Sequence, residues 1–334
     1  MTALKYYQEE LEMETKIYGT REHRTIASTI HSFGDVAMSL GDNEAALKHY
    51  QEALDIYTKV YGTREHLEIA ATIHNMGNIA YTQGNYEVAL EYYKESRDIN
   101  ITIHGTREHP KVAATINSIG NAVNRLGNTE AAFECYQESL DIMVKVYCSR
   151  EHPWIGTALN QLGCIAYSQR NYETALKYYQ ESVDIKIKVY NTREHHSIAA
   201  TLFNMGNVAY TQGDLEAALN YYQESHDIKA KIYGKREHPE VADTIRHMGH
   251  VASSQGNYEV ALTHYQEAID IYKKIHGTRL NTDVASTLRD MAQVAEKQGD
   301  FSAMVQLKDE AGVIQMLSQW VIVDTNIGAY RHYP

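Results

Sequence analysis

The five residues Gly19-Thr-Arg-Glu-His23 return 43 positions later as Gly62-Thr-Arg-Glu-His66 and once more as Gly105-Thr-Arg-Glu-His109. Variants of this segment begin at positions 148, 191, 234 and 277. The third position is an arginine in all seven copies: Arg21, Arg64, Arg107, Arg150, Arg193, Arg236 and Arg279. A fixed period of this size predicts a solenoid, in which one supersecondary unit stacks on copies of itself.

Each period contains two helical patterns. In the second copy, apolar and small residues from Ile69 to Ala80 recur at spacings of three and four, which is typical of an amphipathic helix. Gly84 interrupts the pattern, and a second helix follows to about His104. The sequence therefore predicts an all-α fold, an α-solenoid whose unit is a helix A of about 15 residues, a tight turn and a longer helix B.

Three small or aromatic positions recur in the first six of the seven units and indicate how their helices pack. Helix A carries a glycine at one point: Gly34, Gly77, Gly120, Gly163, Gly206 and Gly249. Helix B carries an alanine, and four residues later a tyrosine: Ala46 and Tyr50, Ala89 and Tyr93, Ala132 and Tyr136, Ala175 and Tyr179, Ala218 and Tyr222, Ala261 and Tyr265. We expect glycine and alanine to face each other so that the two backbones approach closely, and the tyrosines to fill the space between successive units.

This pattern resembles the tetratricopeptide repeat (TPR), as in Ile73-His-Asn-Met-Gly77, Gly84-Asn-Tyr86, Ala89 and Tyr93. The usual repeat has about 34 residues, and the excess here lies in helix B, as in the long repeats of the kinesin-light-chain and nephrocystin-3 type. The resemblance implies a right-handed superhelix, with one array over residues 1–319 and a tail over 320–334. The array comprises a half repeat at 1–18, matching a helix B without its helix A, and repeats starting near 24, 67, 110, 153, 196, 239 and 282. Truncation of a longer protein is the favoured explanation for the half repeat, and a helix supplied by another chain is the alternative.

The resemblance also implies that helix A lines a concave groove that binds an extended peptide or a short helix. Counted from the packing glycine, three positions are predicted to point into this groove. The residues one position after the glycine are Asp35, Asn78, Asn121, Cys164, Asn207, His250 and Gln293. The residues three positions before it are His31, His74, Asn117, Asn160, Phe203, Arg246 and Arg289. The residues four positions after it include Tyr81, Tyr167 and Tyr210. Side-chain amides both donate to and accept from a peptide backbone, whereas the aromatic and charged members would supply selectivity.

Two interpretations of these polar residues remain open. They bind a peptide, or they only solvate an exposed face and bond to the adjacent helix. Because Arg246, His250 and Arg289 cluster in the last two units, that end is the better candidate for an acidic or C-terminal carboxylate ligand.

The repeated loop favours a structural role over a metal site. Successive loops are expected to lie on the order of 10 Å apart, whereas zinc ligands must lie about 2 Å from the ion. We expect the arginine to cap the last carbonyls of the preceding helix, and the glutamate to meet an arginine or the next helix's N–H groups.

Composition and motifs exclude several classes of function. The formal charge of −12 argues against a nucleic-acid partner. No apolar stretch approaches the length needed to insert into a membrane. Three cysteines without metal or redox spacing fit a reducing, cytoplasmic location. The absence of a phosphate-binding glycine loop, a nucleophile elbow or a zinc motif predicts a protein that is not an enzyme and needs no cofactor or metal.

The sequence therefore predicts a non-enzymatic scaffold or adaptor with a protein or peptide ligand. One alternative is a regulatory sensor array of a larger signalling protein, whose enzyme or nucleotide-binding switch domain is missing from this chain. Another is an architectural homo-oligomer joined through the terminal helices.

Overall fold

A computed structural model describes residues 2–233, 237–277 and 280–329, and within those ranges the side chains from 6 to 318. The described chain forms fifteen α-helices: α1 (Thr2–Tyr18), α2 (Arg24–Ser39), α3 (Asn43–Tyr61), α4 (Leu67–Thr82), α5 (Tyr86–His104), α6 (Pro110–Arg125), α7 (Thr129–Tyr147), α8 (Pro153–Ser168), α9 (Tyr172–Tyr190), α10 (His196–Gln212), α11 (Leu215–Tyr233), α12 (Pro239–Ser254), α13 (Tyr258–His276), α14 (Thr282–Gln298) and α15 (Phe301–Ala329). The chain divides into two compact units, residues 1–165 and 166–334. The all-α prediction is confirmed.

The helices have the lengths that the repeat predicts. Those in the position of helix A, α2 through α14 by even numbers, have 16 or 17 residues, and their partners α3 through α13 have 19. The turn within a repeat needs a left-handed residue, such as Gly84 with φ +81°. The last helix departs from the pattern, because it has 29 residues and continues through positions 320–329, which the sequence assigned to a tail.

The glycines of helix A make room for a tyrosine rather than for an alanine. A Cβ placed on Gly77 would lie 2.7 Å from Cε1 of Tyr93, and one on Gly34 would lie 2.6 Å from Cε1 of Tyr50. The same contact occurs at Gly120, Gly206 and Gly249. The expected glycine–alanine contact is therefore wrong in its partner, because a Cβ on these glycines would first meet the tyrosine ring of the same repeat.

The histidine of the loop caps helix A and stacks on the preceding helix B. Nδ1 of His109 accepts a hydrogen bond from the N–H of Lys111 at 3.2 Å, and Nδ1 of His195 accepts one from Ser197 at 3.2 Å. The His195 ring also stacks on Tyr190 at 3.7 Å between centroids. Equivalent stacks join Tyr18 to His23, Tyr61 to His66, His104 to His109, Tyr147 to His152 and Tyr233 to His238. This ring pair is how the end of one repeat is held against the start of the next.

The arginine and glutamate of the loop form ion pairs with the following helix B. Arg64 lies 2.8 Å from Glu95, and Glu22 lies 3.0 Å from Lys59. Further pairs of the same two kinds are Arg21 with Glu52, Arg107 with Glu138, Arg193 with Glu224, Lys145 with Glu108, and Lys231 with Glu194. The expected capping of helix carbonyls by arginine is not what these contacts provide. Arg236 and Arg279 lie outside the described residues.

The first helix occupies the position of a helix B. Tyr7 packs on Phe33 of α2 at 5.8 Å between ring centroids, and the hydroxyl of Thr29 donates to the buried carboxylate of Glu14 at 2.9 Å. The half repeat predicted at 1–18 therefore packs on α2 through both an apolar and a polar contact.

Replacing a packing glycine by alanine tests the tyrosine contact. Gly77→Ala should lower the free energy of unfolding by about 1–2 kcal/mol, because the clash with the Tyr93 ring outweighs the better helix propensity of alanine. Gly312→Ala is the matched control: Gly312 is also helical, but a Cβ there meets nothing within 4 Å, so this change should stabilise by about 0.5–1 kcal/mol. Thermal and urea unfolding measure both variants. If Gly77→Ala and Gly312→Ala changed the free energy of unfolding equally, the packing of Tyr93 on Gly77 would be contradicted.

Stability should fall on acidification. Burial lowers the pKa of both His74 and His247 from 6.5 to about 4. A histidine whose pKa is lowered by folding binds fewer protons in the folded chain than in the unfolded chain. Its contribution to the free energy of unfolding is therefore full above pH 6.5 and is lost as the pH falls towards 4. Between pH 7 and pH 5, each of the two histidines should lower the free energy of unfolding by about 2 kcal/mol. Urea unfolding at both pH values measures this, and His74→Gln and His247→Gln should flatten the dependence; an unchanged slope would refute the assignment.

Candidate functional site

The residues predicted to line the groove all lie on the helices in the position of helix A. Most are half-buried, which places them between core and solvent. Three are more exposed, Asp35 on α2 and Arg289 and Gln293 on α14, whereas Asn117 on α6 is only 8% exposed. Asn117 is therefore a buried side chain rather than one presented on a surface.

In four repeats, the residue after the packing glycine is bonded to the tyrosine of the same repeat. The hydroxyl of Tyr93 donates to Oδ1 of Asn78 at 2.9 Å, and that of Tyr136 donates to Oδ1 of Asn121 at 2.8 Å. In the second unit Tyr222 donates to Oδ1 of Asn207 at 2.7 Å, and in the first repeat Tyr50 donates to Asp35 at 2.6 Å. Burial raises the pKa of these tyrosines, so their hydroxyls stay protonated and donate.

These bonds fix which end of each amide remains for a ligand. The equivalent contact to Asp35, which can only accept when ionised, shows that the tyrosine is the donor. With Oδ1 of Asn78, Asn121 and Asn207 engaged, the Nδ2 groups are the ends that can donate into the groove. The sequence predicted amides that donate and accept, whereas the geometry favours donors, which suit carbonyl and carboxylate oxygens.

His31 is bonded to the next repeat rather than presented alone. The hydroxyl of Thr72 donates to the carbonyl of Glu68, so His31 Nδ1 donates to Thr72 Oγ1 at 3.0 Å and its Nε2 accepts from Asn75 at 3.3 Å. Burial lowers the pKa of His31, outweighing Asp35, which raises it. A neutral imidazole with a fixed tautomer thus joins α2 to α4.

Phe203 belongs to an aromatic cluster in the second unit. Its ring lies 5.4 Å from Tyr222 and 4.7 Å from His247 of the next repeat, and Lys229 Nζ lies 4.9 Å from its centroid. A cation over an aromatic face is favourable, more so when both are shielded from water. Phe203 therefore packs between α10, α11 and α12.

The basic residues near the C-terminal end do not leave a joint site for a carboxylate. Arg246 Nε and His250 Nε2 both donate to Oδ2 of Asp290, at 2.6 and 3.0 Å. Burial alone would raise the pKa of Asp290, but the hydrogen bonds from His250 and Arg246 hold it below its usual value. Arg289 instead donates to Gln315 of α15. The preference for this end as an acidic-ligand site is therefore corrected, since a carboxylate of the chain already occupies Arg246 and His250.

The tyrosines of the third position also reach the next repeat. Tyr167 bonds Thr211, and Tyr210 bonds Ser254, each at 2.9 Å between hydroxyl oxygens. Tyr81 instead lies edge-on to Tyr86 at 5.3 Å between centroids. Asn160 is half-buried on α8.

Asp290 is the residue that sequence reasoning missed, and a sequence signal for it exists. Many contacts between neighbouring A helices join residues 44 positions apart, one more than the period. Arg246 and Asp290 have this separation. A search for complementary side chains at that spacing would have paired them and would have removed Arg246 from the set of unoccupied cations.

A cavity of about 260 Å³ lies in the first unit among α4, α5, α6, α7 and α8. The predicted groove residue His74 lines it, together with Asn100 of α5 and Thr115 of α6. Its walls are mostly apolar: Leu67, Ala70, Ala71, Pro110, Ala114, Met143 and Trp154. Because the pKa of His74 is about 4, the imidazole in this cavity is neutral at physiological pH. Asn100 did not emerge from the sequence, because it lies on helix B and not on the face predicted to bind.

Comparison with known families decides the family of the chain. The family described as "Tetratricopeptide repeat" matches residues 25–101, 111–188, 197–274 and 240–303. The chain belongs to the tetratricopeptide repeat family. This is the family that the sequence predicted. No curated protein matches the chain in sequence.

Three solved structures similar to this TPR chain differ widely in context. A putative kinesin light chain of Podosopora anserina with nearly identical TPR-like repeats is 19% identical, with a TM-score of 0.51 covering 62% of this chain and 96% of that one. The Rap conjugation gene regulator of plasmid pLS20, in complex with the Phr* peptide, is 15% identical, with a TM-score of 0.62 covering 89% and 76%. A signal transduction ATPase with numerous domains from Pyrococcus horikoshii, which has a TPR sensor, is 17% identical, with a TM-score of 0.64 covering 97% and 45%. At these identities the likeness shows the fold alone.

The described residues contain neither a membrane-spanning helix nor a cluster of metal-binding side chains. None of the helices there is long and apolar enough to cross a membrane. Within the same part of the chain, His, Cys, Asp and Glu side chains do not gather in groups of three that could hold a metal ion.

The buried carboxylate Asp290 should matter more for stability than an exposed one. Asp290→Asn removes the negative charge that Arg246 and His250 share, and both of those side chains are mostly buried, so it should lower the free energy of unfolding by about 1–3 kcal/mol at pH 7. The control is Glu173→Gln, which breaks a solvent-exposed pair with Lys177 at 2.7 Å and should leave the melting temperature unchanged. A stable Asp290→Asn protein would mean that the cluster contributes nothing to the fold.

Proposed function

We propose that this TPR array is a non-enzymatic protein-interaction module that binds an extended peptide segment or a short helix along the face of its A helices. The observation that carries the proposal is the recurring bond from a helix-B tyrosine to the residue after the packing glycine. It holds Asn78, Asn121 and Asn207 in the same orientation on three A helices. Oriented donors repeated along a scaffold suit the regularly spaced carbonyl oxygens of an extended chain.

The likeness to known structures supports this class of function. One similar TPR structure is described as being in complex with a peptide, and another as containing a TPR sensor. Because the fold alone does not specify a ligand, the proposal depends on the oriented amides of this chain.

The remaining predicted groove residues take different parts in this proposal. Asp35 and Arg289, the exposed charged residues among them, would meet the ligand by charge. His31, Arg246 and His250 would act indirectly, because their polar atoms are engaged between repeats and hold the A helices in register.

The sensor interpretation is the second candidate. The chain covers 45% of the similar ATPase, which is described as having a TPR sensor. On this proposal the same face binds the ligand, and a further domain reads the event. The two candidates share the first step, so a test of ligand binding addresses both.

Reversing the donors tests the groove. Peptides are first selected from a random library on the wild-type chain, and their dissociation constants are then measured by fluorescence anisotropy. The triple variant Asn78→Asp, Asn121→Asp and Asn207→Asp should weaken binding at least about tenfold, because each donor becomes an acceptor. The fold should survive, since Asp35 already holds the equivalent place and accepts the tyrosine bond.

A charge-matched variant separates donor reversal from net charge. Gln83→Glu, Gln212→Glu and Asn220→Asp add the same three negative charges at exposed positions and should change affinity by less than about twofold at physiological salt. If both triple variants lose the selected peptides equally, or if neither does, the amide face is not the binding site.

A further inference from the structure

A buried acceptor in the first unit, Oδ1 of Asn100, is left without a donor. Asn100 is 4% exposed, and its Nδ2 donates to the backbone carbonyl of Ser96 at 2.8 Å. Because a carbonyl can only accept, this bond fixes the orientation of the amide. Oδ1 therefore points away from Ser96, and it finds no hydrogen-bond partner in the protein. A buried acceptor without a donor costs free energy.

Asn100 lines the 260 Å³ cavity described above, which offers further acceptors beside it. Thr115 also lines the cavity, and its hydroxyl donates to the carbonyl of Lys111 at 2.9 Å, so its oxygen lone pairs can accept. The other walls are mainly apolar. The cavity is smaller than those that enclose drug-sized ligands, which are about 300–1,000 Å³. It is a mostly apolar space with acceptors at one place.

The other repeats show what normally occupies this space. At intervals of 43 residues, the position of Asn100 is taken by Glu14 in the half repeat and by Gln315 in the last one. In between it is taken by Tyr57, Met143, Lys186, Lys229 and Tyr272, all 3% exposed or less except Lys229 at 4%. Each of these side chains is longer than asparagine. The space beside Asn100 is thus the place where a longer side chain lies in the sister repeats.

The two lysines show that this place is built to receive a donor. Lys186 Nζ donates to Thr201 Oγ1 at 2.8 Å and to the Ser197 carbonyl at 3.1 Å. Lys229 Nζ donates to Thr244 Oγ1 at 3.0 Å and to the Glu240 carbonyl at 3.3 Å. Their acceptors stand 15 and 11 positions after the lysine, and counted from Asn100 these positions are Thr115 and Lys111. The cavity therefore keeps the acceptors and lacks the donor.

Charge decides between a cationic and a neutral donor. The ammonium of Lys229 lies 3.7 Å from the Glu240 carboxylate, and the residue equivalent to Glu240 in this cavity is Lys111. A cation would meet a like charge there instead of a counter-charge, in a space where desolvation is already costly. The residues that line the cavity include no aspartate or glutamate, so they offer a cation no counter-charge.

We infer that this cavity is a binding site for a small, neutral, mostly apolar molecule that carries one O–H or N–H donor, such as an alcohol or a phenol, with Asn100 Oδ1 as its acceptor. This site is separate from the peptide face, although His74 borders both. An apolar group of a bound polypeptide with the same donor has the same chemistry, and the experiment distinguishes the two sources.

The experiment titrates the whole chain with small probes and follows them by ligand-observed NMR. We expect p-cresol to bind, with 4-methylanisole about tenfold weaker, because the ether has the same ring but no donor for Asn100. n-Butylammonium should not compete. Equal binding of p-cresol and 4-methylanisole, displacement by n-butylammonium, or no saturable binding of p-cresol would each overturn the proposal.

Two variants place the probe in the cavity. Asn100→Met copies Met143, the residue at the equivalent position of the next repeat. It should abolish the difference between p-cresol and its ether while raising the melting temperature, because it removes a buried unpaired acceptor. Ala71→Leu narrows the cavity from an exposed position and should weaken p-cresol binding severalfold without loss of stability. Binding unchanged in both variants would put the probe elsewhere.

A competition arm separates the two sources and the two proposals. If p-cresol binds and the library-selected peptides do not displace it, the site takes a free small molecule. Displacement by those peptides would overturn the free molecule as the occupant and assign the cavity to a side chain of the bound segment. Failure of the donor-reversed triple variant to affect peptides would refute the peptide face and leave the p-cresol result standing.

Discussion

The contact on which the rest of the structure depends is a tyrosine ring lying on the bare backbone of a glycine. Tyr93 fills the space that a Cβ on Gly77 would need, and its hydroxyl continues past the core to Asn78. One side chain thus packs the two helices of a repeat and orients a polar group on the outer face. Because the contact recurs in both units, core packing and surface chemistry are tied together along the array.

Neighbouring repeats are joined by a different set of contacts. The loop histidine caps one helix while its ring stacks on the end of the previous one, and the loop arginine and glutamate pair with the next helix B. The ion pairs are largely exposed, and such pairs contribute little individually. The caps and ring stacks carry more of the junction, because they satisfy helix N–H groups and bury aromatic surface.

Positions at which the repeats carry different side chains are the ones that can create or remove a binding site. At the position of Asn100 the other repeats place longer side chains, and among the described residues of this register only the short asparagine is accompanied by the 260 Å³ cavity and an unpaired acceptor. Near the C-terminal end, Asp290 pairs with two basic residues, Arg246 and His250, that would otherwise attract an acidic ligand. Repetition builds the frame, and single departures from it create or remove sites.

The sequence by itself determined the period, the alternation of helices A and B, their lengths and the TPR family, because these follow from local helical periodicity and turn residues that every repeat restates. It also placed the predicted groove residues on the A helices. Only the tertiary structure decided which of their polar atoms remain for a ligand. Tyr93 binding to Asn78, and Asp290 binding to Arg246, join residues 15 and 44 positions apart, so their pairing depends on how helices pack. The cavity beside Asn100 belongs to the same class, because a space is a property of several helices together and of no single segment.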